Sequence, residues 1–310
     1  MTTEGAPQLA IGVDVGGSGV KAAAVDVATG KLVGPRHRVK TPNPSTPGAV
    51  IEAIARLVAR ITDETSPGGV PVGVGVPCVV LDGTTRTAAN IDQGWIGFDA
   101  EGALAKEVGR RVTVVNDADA AGLAEMRFGA GQDSHGVVFV LTLGTGLGSG
   151  MFVDGRLVPN TELGHMEIRG RDAEKRSAAA ARIRRGLSWK AWAADLDEHL
   201  HAIDRLFWPT RIILGGGVSK NADRFIPRLT VRPPVVPARL LNDAGIVGSA
   251  MAAVERADAE AAAGGALPAG WEPEPEQAAL PDSKPGAELR REPEPEPEDE
   301  PDSDGGAEET

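Results

Sequence analysis

A single cysteine, Cys78, occurs in 310 residues. That excludes an internal disulfide and any metal centre built on several thiolates. No apolar run approaches the ~18 residues a membrane span needs. The opening MTTEGAPQLAIGVDV has no basic stretch leading into an apolar one, so neither a membrane anchor nor a secretory leader is expected, and the chain reads as cytoplasmic. Two nucleotide-binding signatures are also missing. Nothing has the Gly-x-x-x-x-Gly-Lys-Ser/Thr spacing, and the first glycine turn lacks Gly-x-Gly-x-x-Gly, which argues against both common nucleotide folds. Aromatic residues are 4% of the chain and scarce beside its main arginine cluster, so a base-stacking nucleic-acid surface is not expected.

What is present is enough for a large core: 41% of residues are hydrophobic, and the length suits one large or two ordinary domains. The formal charge of −12 is unevenly spread. Beyond Arg256 stand 17 acidic and three basic side chains, a net of −14, which leaves +2 on everything before them. That Pro/Glu-rich tail has almost no large apolar residues to offset its ordering entropy, so residues 258–310 are expected to be disordered. Such a chain is a solvated spacer or, less simply, an internal competitor for a basic surface.

Alternation in LAIGVDV, GVKAAAVDV and KLVGPRHRVK predicts three strands in an antiparallel meander. PGAVIEAIARLVARI has apolar residues at helical spacing, and VPVGVGVPCVV reads as a buried strand. LDGTTRTAANIDQGWIGFDA reads as irregular and leads into a helix at AEGALAKEVG. From RVTVVNDADAAGLAEM the same programme restarts with a strand running into a helix. Two strands follow around a glycine turn, with a hairpin at Asp154-Gly155. Ser188 is the expected cap of a helix whose Trp192, Leu196, Leu200 and Ile203 share one face. Two similar α/β halves are expected: residues 1–115, which a helix at 243–256 is able to complete, and residues 116–257.

Three glycine turns follow strands: DVGGSGVK (14–21), LGTGLGSG (143–150) and LGGGVSK (214–220). Glycines let backbone amides approach an anion closely, and amide arrays with helix N-termini cradle phosphate. NDADAAG (116–122) puts Asp117 where an apolar strand passes into a helix, a place from which a carboxylate can face a cleft; capping the helix is the plainer alternative. ELGH places Glu162 three residues before His165. Seven cations follow, Arg169, Arg171, Lys175, Arg176, Arg182, Arg184 and Arg185, with only Asp172 and Glu174 among them. So dense a cluster suits an extended polyanion, although pairing on a solvated helix explains it as well.

In this order the motifs resemble the sugar kinases of the ROK family, within the actin-like ATPase superfamily, from about Leu9 to Arg256. The resemblance implies two α/β domains, each on a five-stranded mixed sheet, around a central cleft, and a homodimer. It implies that Asp14 holds Mg²⁺ through water. Phosphate would meet Gly16, Gly17, Ser18, Gly19 and Lys21 at the first turn and Gly144, Thr145, Gly146 and Gly148 at the second. Gly215, Gly216, Gly217 and Lys220 would meet a nucleotide. Glucose would be held by Asn90, Asn116, Asp117, Glu162, His165 and Glu167, with Asp117 the general base. Phosphoryl transfer needs positioning, charge neutralisation and a proton acceptor, which this set supplies.

One departure stands out. Most members follow the histidine with zinc-binding cysteines, and this chain has none after Cys78, so no thiolate zinc site is expected. Without those cysteines, and with TAANIDQGWIG and LVPNTELGH, the chain resembles an actinobacterial branch of the family, which implies inorganic polyphosphate as phosphoryl donor. The seven cations, helped by Lys220, Arg224 and Arg239, would then form a polyphosphate track. Two alternatives stay open: a strictly ATP-dependent hexokinase of the family, or a sugar sensor without catalysis. Family repressors carry a helix-turn-helix ahead of the first turn, and with eight residues before Leu9 none is expected here.

Overall fold

The computed structural model describes residues 8–65 and 69–262. The first sheet begins with the expected meander, β1 (Leu9–Gly16), β2 (Gly19–Asp26) and β3 (Lys31–Val39). Helix α1 (Pro47–Thr65) then leads to β4 (Val72–Val76). Three short strands, β5 (Val80–Leu81), β6 (Thr84–Thr85) and β7 (Phe98–Asp99), form a small sheet inside the stretch that reads as irregular. Helix α2 (Ala100–Val108) and β8 (Val112–Asn116) complete the half, giving the order β3-β2-β1-β4-β8.

The second half repeats that plan. Helix α3 (Asp117–Phe128) precedes β9 (Val137–Leu143), β10 (Leu147–Val153) and β11 (Arg156–Val158), again an antiparallel meander. Asp154 and Gly155 turn the hairpin with φ of 49° and 78°. Short helices α4 (Glu174–Ser177) and α5 (Ala179–Arg184) lead to α6 (Trp189–Phe207), capped by Ser188, whose Oγ accepts from Ala191 N at 3.2 Å. β12 (Arg211–Gly215) and β13 (Val235–Pro237) add in parallel, giving β11-β10-β9-β12-β13.

Each sheet buries one face against its own amphipathic helix. Val50, Ile54, Leu57 and Ile61 of α1 pack on Ile11, Val13 and Val74, and Trp192, Leu196, Leu200 and Ile203 of α6 pack on Phe139, Leu141 and Ile212. At about 1.5–3 kcal/mol for each large side chain taken from water, these faces dominate the stability. The last helix, α7 (Ala244–Ala262), returns to the first sheet and packs on β1, β4 and α3. It lies so close that glycine is required beneath it: a β-carbon at Gly12 or Gly73 would collide with the backbone carbonyls of Ile246 or Ser249. Helix α7 also continues through Ala262, five residues into the span that composition assigns to the tail. Alanines there favour helix, and Glu260 pairs with Arg256 at 2.8 Å and with Arg111 at 3.1 Å. The rest of the acidic segment lies outside the described residues. Among the described residues, no helix is long and apolar enough to cross a membrane.

Candidate active site

Between the two sheets lies a cavity of about 530 Å³, into which the C-terminal ends of β1 and β8 and the β9–β10 turn deliver their side chains. At its β1 end Asp14 accepts a hydrogen bond from Lys21 Nζ at 2.8 Å, its register partner on β2. The β1–β2 turn faces the β9–β10 turn directly, since a β-carbon on Gly17 would stand 3.6 Å from Thr145 Oγ1. Two glycine turns on opposite sheets thus face each other across one gap.

Asp117 opens α3, but it is not the cap. Asn116 Oδ1 accepts from Ala118 N (2.9 Å) and Asp119 N (3.1 Å), and its Nδ2 donates to Cys78 O (3.1 Å). Relieved of capping, Asp117 turns to the cavity. Burial, then the nearby Asp14 carboxylate, push its pKa up to about 8. Asp119, two residues on, is also pushed up, to about 7, by burial. Its Oδ2 accepts from Asn160 N at 2.7 Å, and Asn160 in turn pairs with both backbone groups of Val80.

A 3-10 turn at Leu163–His165 carries the Glu-x-x-His pair. Glu162 is raised by burial and by Glu174 while His165 lowers it, and His165 Nε2 stands 3.7 Å from Glu162 Oε2. The turn is tied from below by His199 of α6, which is fully buried and held neutral, its pKa lowered to about 4 by burial. Its Nε2 donates to Leu163 O at 3.0 Å, and its Nδ1 is 2.9 Å from Ser177 Oγ. Glu174 lies within the basic segment and still reaches the cavity: nine-tenths buried, its Oε2 accepts from Leu147 N at 3.0 Å and so braces the second glycine turn. His165, Asp172 and Glu174 bring potential metal-ligand atoms within 4.8 Å of one another, an N/O set with no thiolate.

Of the residues singled out from the sequence, Asp14, Gly16, Gly17, Ser18, Lys21, Asn90, Asn116 and Asp117 line this cavity, with Gly144, Thr145, Gly146, Gly148, Glu162, His165, Gly216 and Gly217. Gly19 lies beside it under Arg38, Gly215 lines an adjoining hollow, Lys220 is exposed, and Glu167 is exposed in a bridge to Asp172. None of the seven cations between residues 169 and 185 is on its wall. Arg169 and Arg176 pair with Glu198, Arg176 and Arg185 with Asp195, and Lys175 with Glu174. Arg182 stacks on Trp189 at 4.0 Å, Arg184 donates to Lys175 O, and Arg171 is exposed. The cavity's own cations are Lys21, Arg36 and Arg38. The two arginines were hidden in a stretch that reads only as a strand; their signal is the alternation Arg-His-Arg.

Residues 10–185 match the ROK family profile. The chain belongs to the ROK family. It is 48% identical over 244 residues to a polyphosphate glucokinase of Mycobacterium tuberculosis, covering 78% of this chain and 90% of that protein. The crystal structure of an inorganic polyphosphate/ATP-glucomannokinase from Arthrobacter sp. strain KM superposes with a TM-score of 0.78 at 48% identity, over 80% of this chain and 99% of that one. A ROK family glucokinase from Streptomyces griseus, solved with glucose and AMPPNP, follows at 0.70 and 28%, over 80% and 99%. The two repeated five-stranded sheets are the actin-like architecture expected of the family.

Proposed function

We propose that the protein is a glucokinase that transfers a terminal phosphoryl group from inorganic polyphosphate, with ATP as a second donor, to the 6-hydroxyl of glucose. The observation that carries this is Asp117: a carboxylate with a raised pKa, freed from capping by Asn116, in the one cavity that also holds two facing glycine turns and the Glu162–His165 pair. The relatives at 48% identity support polyphosphate as donor.

In this reading Asp117 accepts the hydroxyl proton as the oxygen attacks the phosphorus in line. Asn90, Glu162 and His165 hold the neutral sugar through its hydroxyls, with Asn116 offering the amide hydrogen not used on Cys78. Amides of the two turns face the donor's phosphates, where preorganised dipoles stabilise developing charge. The donor set fits Mg²⁺: after burial, the Asp14 carboxylate is the next cause that raises the pKa of Asp117, and that repulsion is one a cation relieves. When bound near Asp14, the ion supplies neutralisation of phosphate oxygens. A cytoplasmic location suits this substrate pair, and a homodimer is proposed from the family alone.

The test is glucose 6-phosphate formation by the purified, nucleotide-free protein with long-chain polyphosphate and, separately, with ATP at matched Mg²⁺. Turnover with polyphosphate is expected. Turnover with ATP alone would leave a hexokinase of the same fold, and turnover with neither would overturn the enzymatic reading.

A further inference from the structure

We infer that the donor polyanion leaves the cleft along the outer face of β3, over a cation ladder made by Lys21, Arg38 and Arg36. This deepens the polyphosphate reading above and rests on it. Lys21 is the register partner of Asp14 on one side and of Arg38 on the other. Asp14, Lys21 and Arg38 therefore stand in line across β1, β2 and β3, with strands ~4.8 Å apart, and Arg36 lies two residues from Arg38 on β3. The line begins at the cavity and ends at the sheet edge, since β3 is the outermost strand.

Local structure fixes where the two arginines point. His37, between them, is buried, with Nε2 2.7 Å from Glu64 Oε2 on α1. Alternation then places Arg38 on the opposite face, and Arg36 and Arg38 are both exposed. The register jumps from Ala22↔His37 to Ala24↔Val33, so residues 34–36 form a bulge, with Gly34 at φ 88°. Bulges re-aim side chains beside functional sites, and Arg36 sits at the end of this one. Arg38 is seated on the first glycine turn itself. Its Nη2 donates to Ser18 O at 2.8 Å, and a β-carbon on Gly19 would stand 2.5 Å from its Nε. A carbonyl partner occupies one of five donors and leaves the charge uncompensated.

Arg36 is differently placed. It pairs with Asp243 at 2.5 Å, with both side chains about 40% exposed (38% and 40%). Exposed pairs of this kind are weak and exchangeable, so a polyphosphate chain is able to displace Asp243. The carboxylate then acts as a competitor for the same arginine, which gives the two residues opposite effects on donor binding.

Arg36→Gln and Asp243→Asn test this in the full-length protein, with the Michaelis constant for long-chain polyphosphate and for tripolyphosphate as readout. R36Q is expected to raise the long-chain constant by about fivefold to tenfold, and the short-chain constant less; D243N is expected to lower the long-chain constant. If both variants raise it alike, the pair is a structural tie and the ladder is overturned. Should neither move it, the arginines only guard an edge strand against pairing, which also overturns it. An unchanged R36Q beside a raised constant in an Arg184→Gln/Arg185→Gln variant would move the route to residues 169–185. Wild-type turnover with ATP but none with polyphosphate would instead overturn the donor reading, and the ladder with it. Polyphosphate turnover indifferent to R36Q defeats the ladder alone.

Discussion

Two basic regions of the molecule invite opposite conclusions. The segment from Arg169 to Arg185 has seven cations in 17 residues, yet Asp195 and Glu198 of α6, with Glu174, pair with four of them. The cleft has three: Lys21 shares Asp14 with the site, Arg36 is held by the exposed Asp243, and Arg38, among the described residues, meets a carbonyl oxygen. Seven cations close together in sequence are therefore not by themselves an open anion surface, since four of them already have carboxylate partners. What matters is whether the fold brings acids to the cations or aims the cations into a cavity. Four of the segment's cations are paired and hold structure, whereas the carboxylates of the cleft are crowded with like charge, which is how sites acquire shifted pKa values.

That contrast can be broken most forcefully at Asp117. Asp117→Asn should lower kcat by about 10²–10⁴-fold, the usual scale of general-base catalysis, while glucose binding by calorimetry persists. Its melting temperature at neutral pH should not fall, because a carboxyl whose pKa burial raises to about 8 keeps in the folded state a proton that the unfolded chain releases, which disfavours the fold above the ordinary carboxylate range. An active D117N enzyme would remove the base from the account. Glu174 belongs to both regions, and Glu174→Ala should cost about 1–3 kcal/mol in denaturant titration by leaving the Leu147 N–H buried without a partner. It should also raise the Michaelis constants for both donors by loosening the second glycine turn; normal kinetics would show the brace to be dispensable.

On the satisfied side, Arg176→Ala should destabilise by about 1–3 kcal/mol, since it bridges Asp195 and Glu198. The polyphosphate constant should change by less than about threefold, as expected for a structural pair. A smaller and more diagnostic effect concerns pH. The base must be ionised and burial raises its pKa, so kcat/KM for glucose should rise with pH through the neutral range, levelling off no higher than about 8 because Mg²⁺ offsets the Asp14 charge. Asp14→Asn removes one cause of that elevation, and in a single-turnover profile the rising limb should move to lower pH. An unmoved limb would separate the two carboxylates.

Most of the fold was legible, for reasons that particular elements make plain. Helical spacing in α1 and α6, the Ser188 cap and the Asp154-Gly155 hairpin are local signals, and each appears at its expected place. The site was legible where chemistry is carried by short motifs after strands, as in DVGGSGVK and ELGH. It was not legible where the outcome depends on distant partners. Nothing near Arg176 announces that Asp195 and Glu198 will be folded against it, and nothing near Glu174 announces Leu147. The small sheet of β5, β6 and β7 was missed because two-residue strands carry no periodicity; a buried Thr85 bonded to Phe98 O at 3.2 Å and the fully buried Trp95 hold it instead. Arg36 and Arg38 were readable in principle, as alternate residues of a strand whose middle histidine faces inward.

The most direct test of the contrast is the salt dependence of the polyphosphate Michaelis constant, measured side by side for wild type, an Arg36→Gln/Arg38→Gln variant and an Arg171→Gln/Arg184→Gln variant. Each lost cation–phosphate contact should flatten the logarithmic slope by about 0.7 for a single-stranded polyanion. The β3 variant is expected to lose about 1.4 from its slope while the other keeps the slope of wild type. A slope lost in the second variant and kept in the first would contradict it.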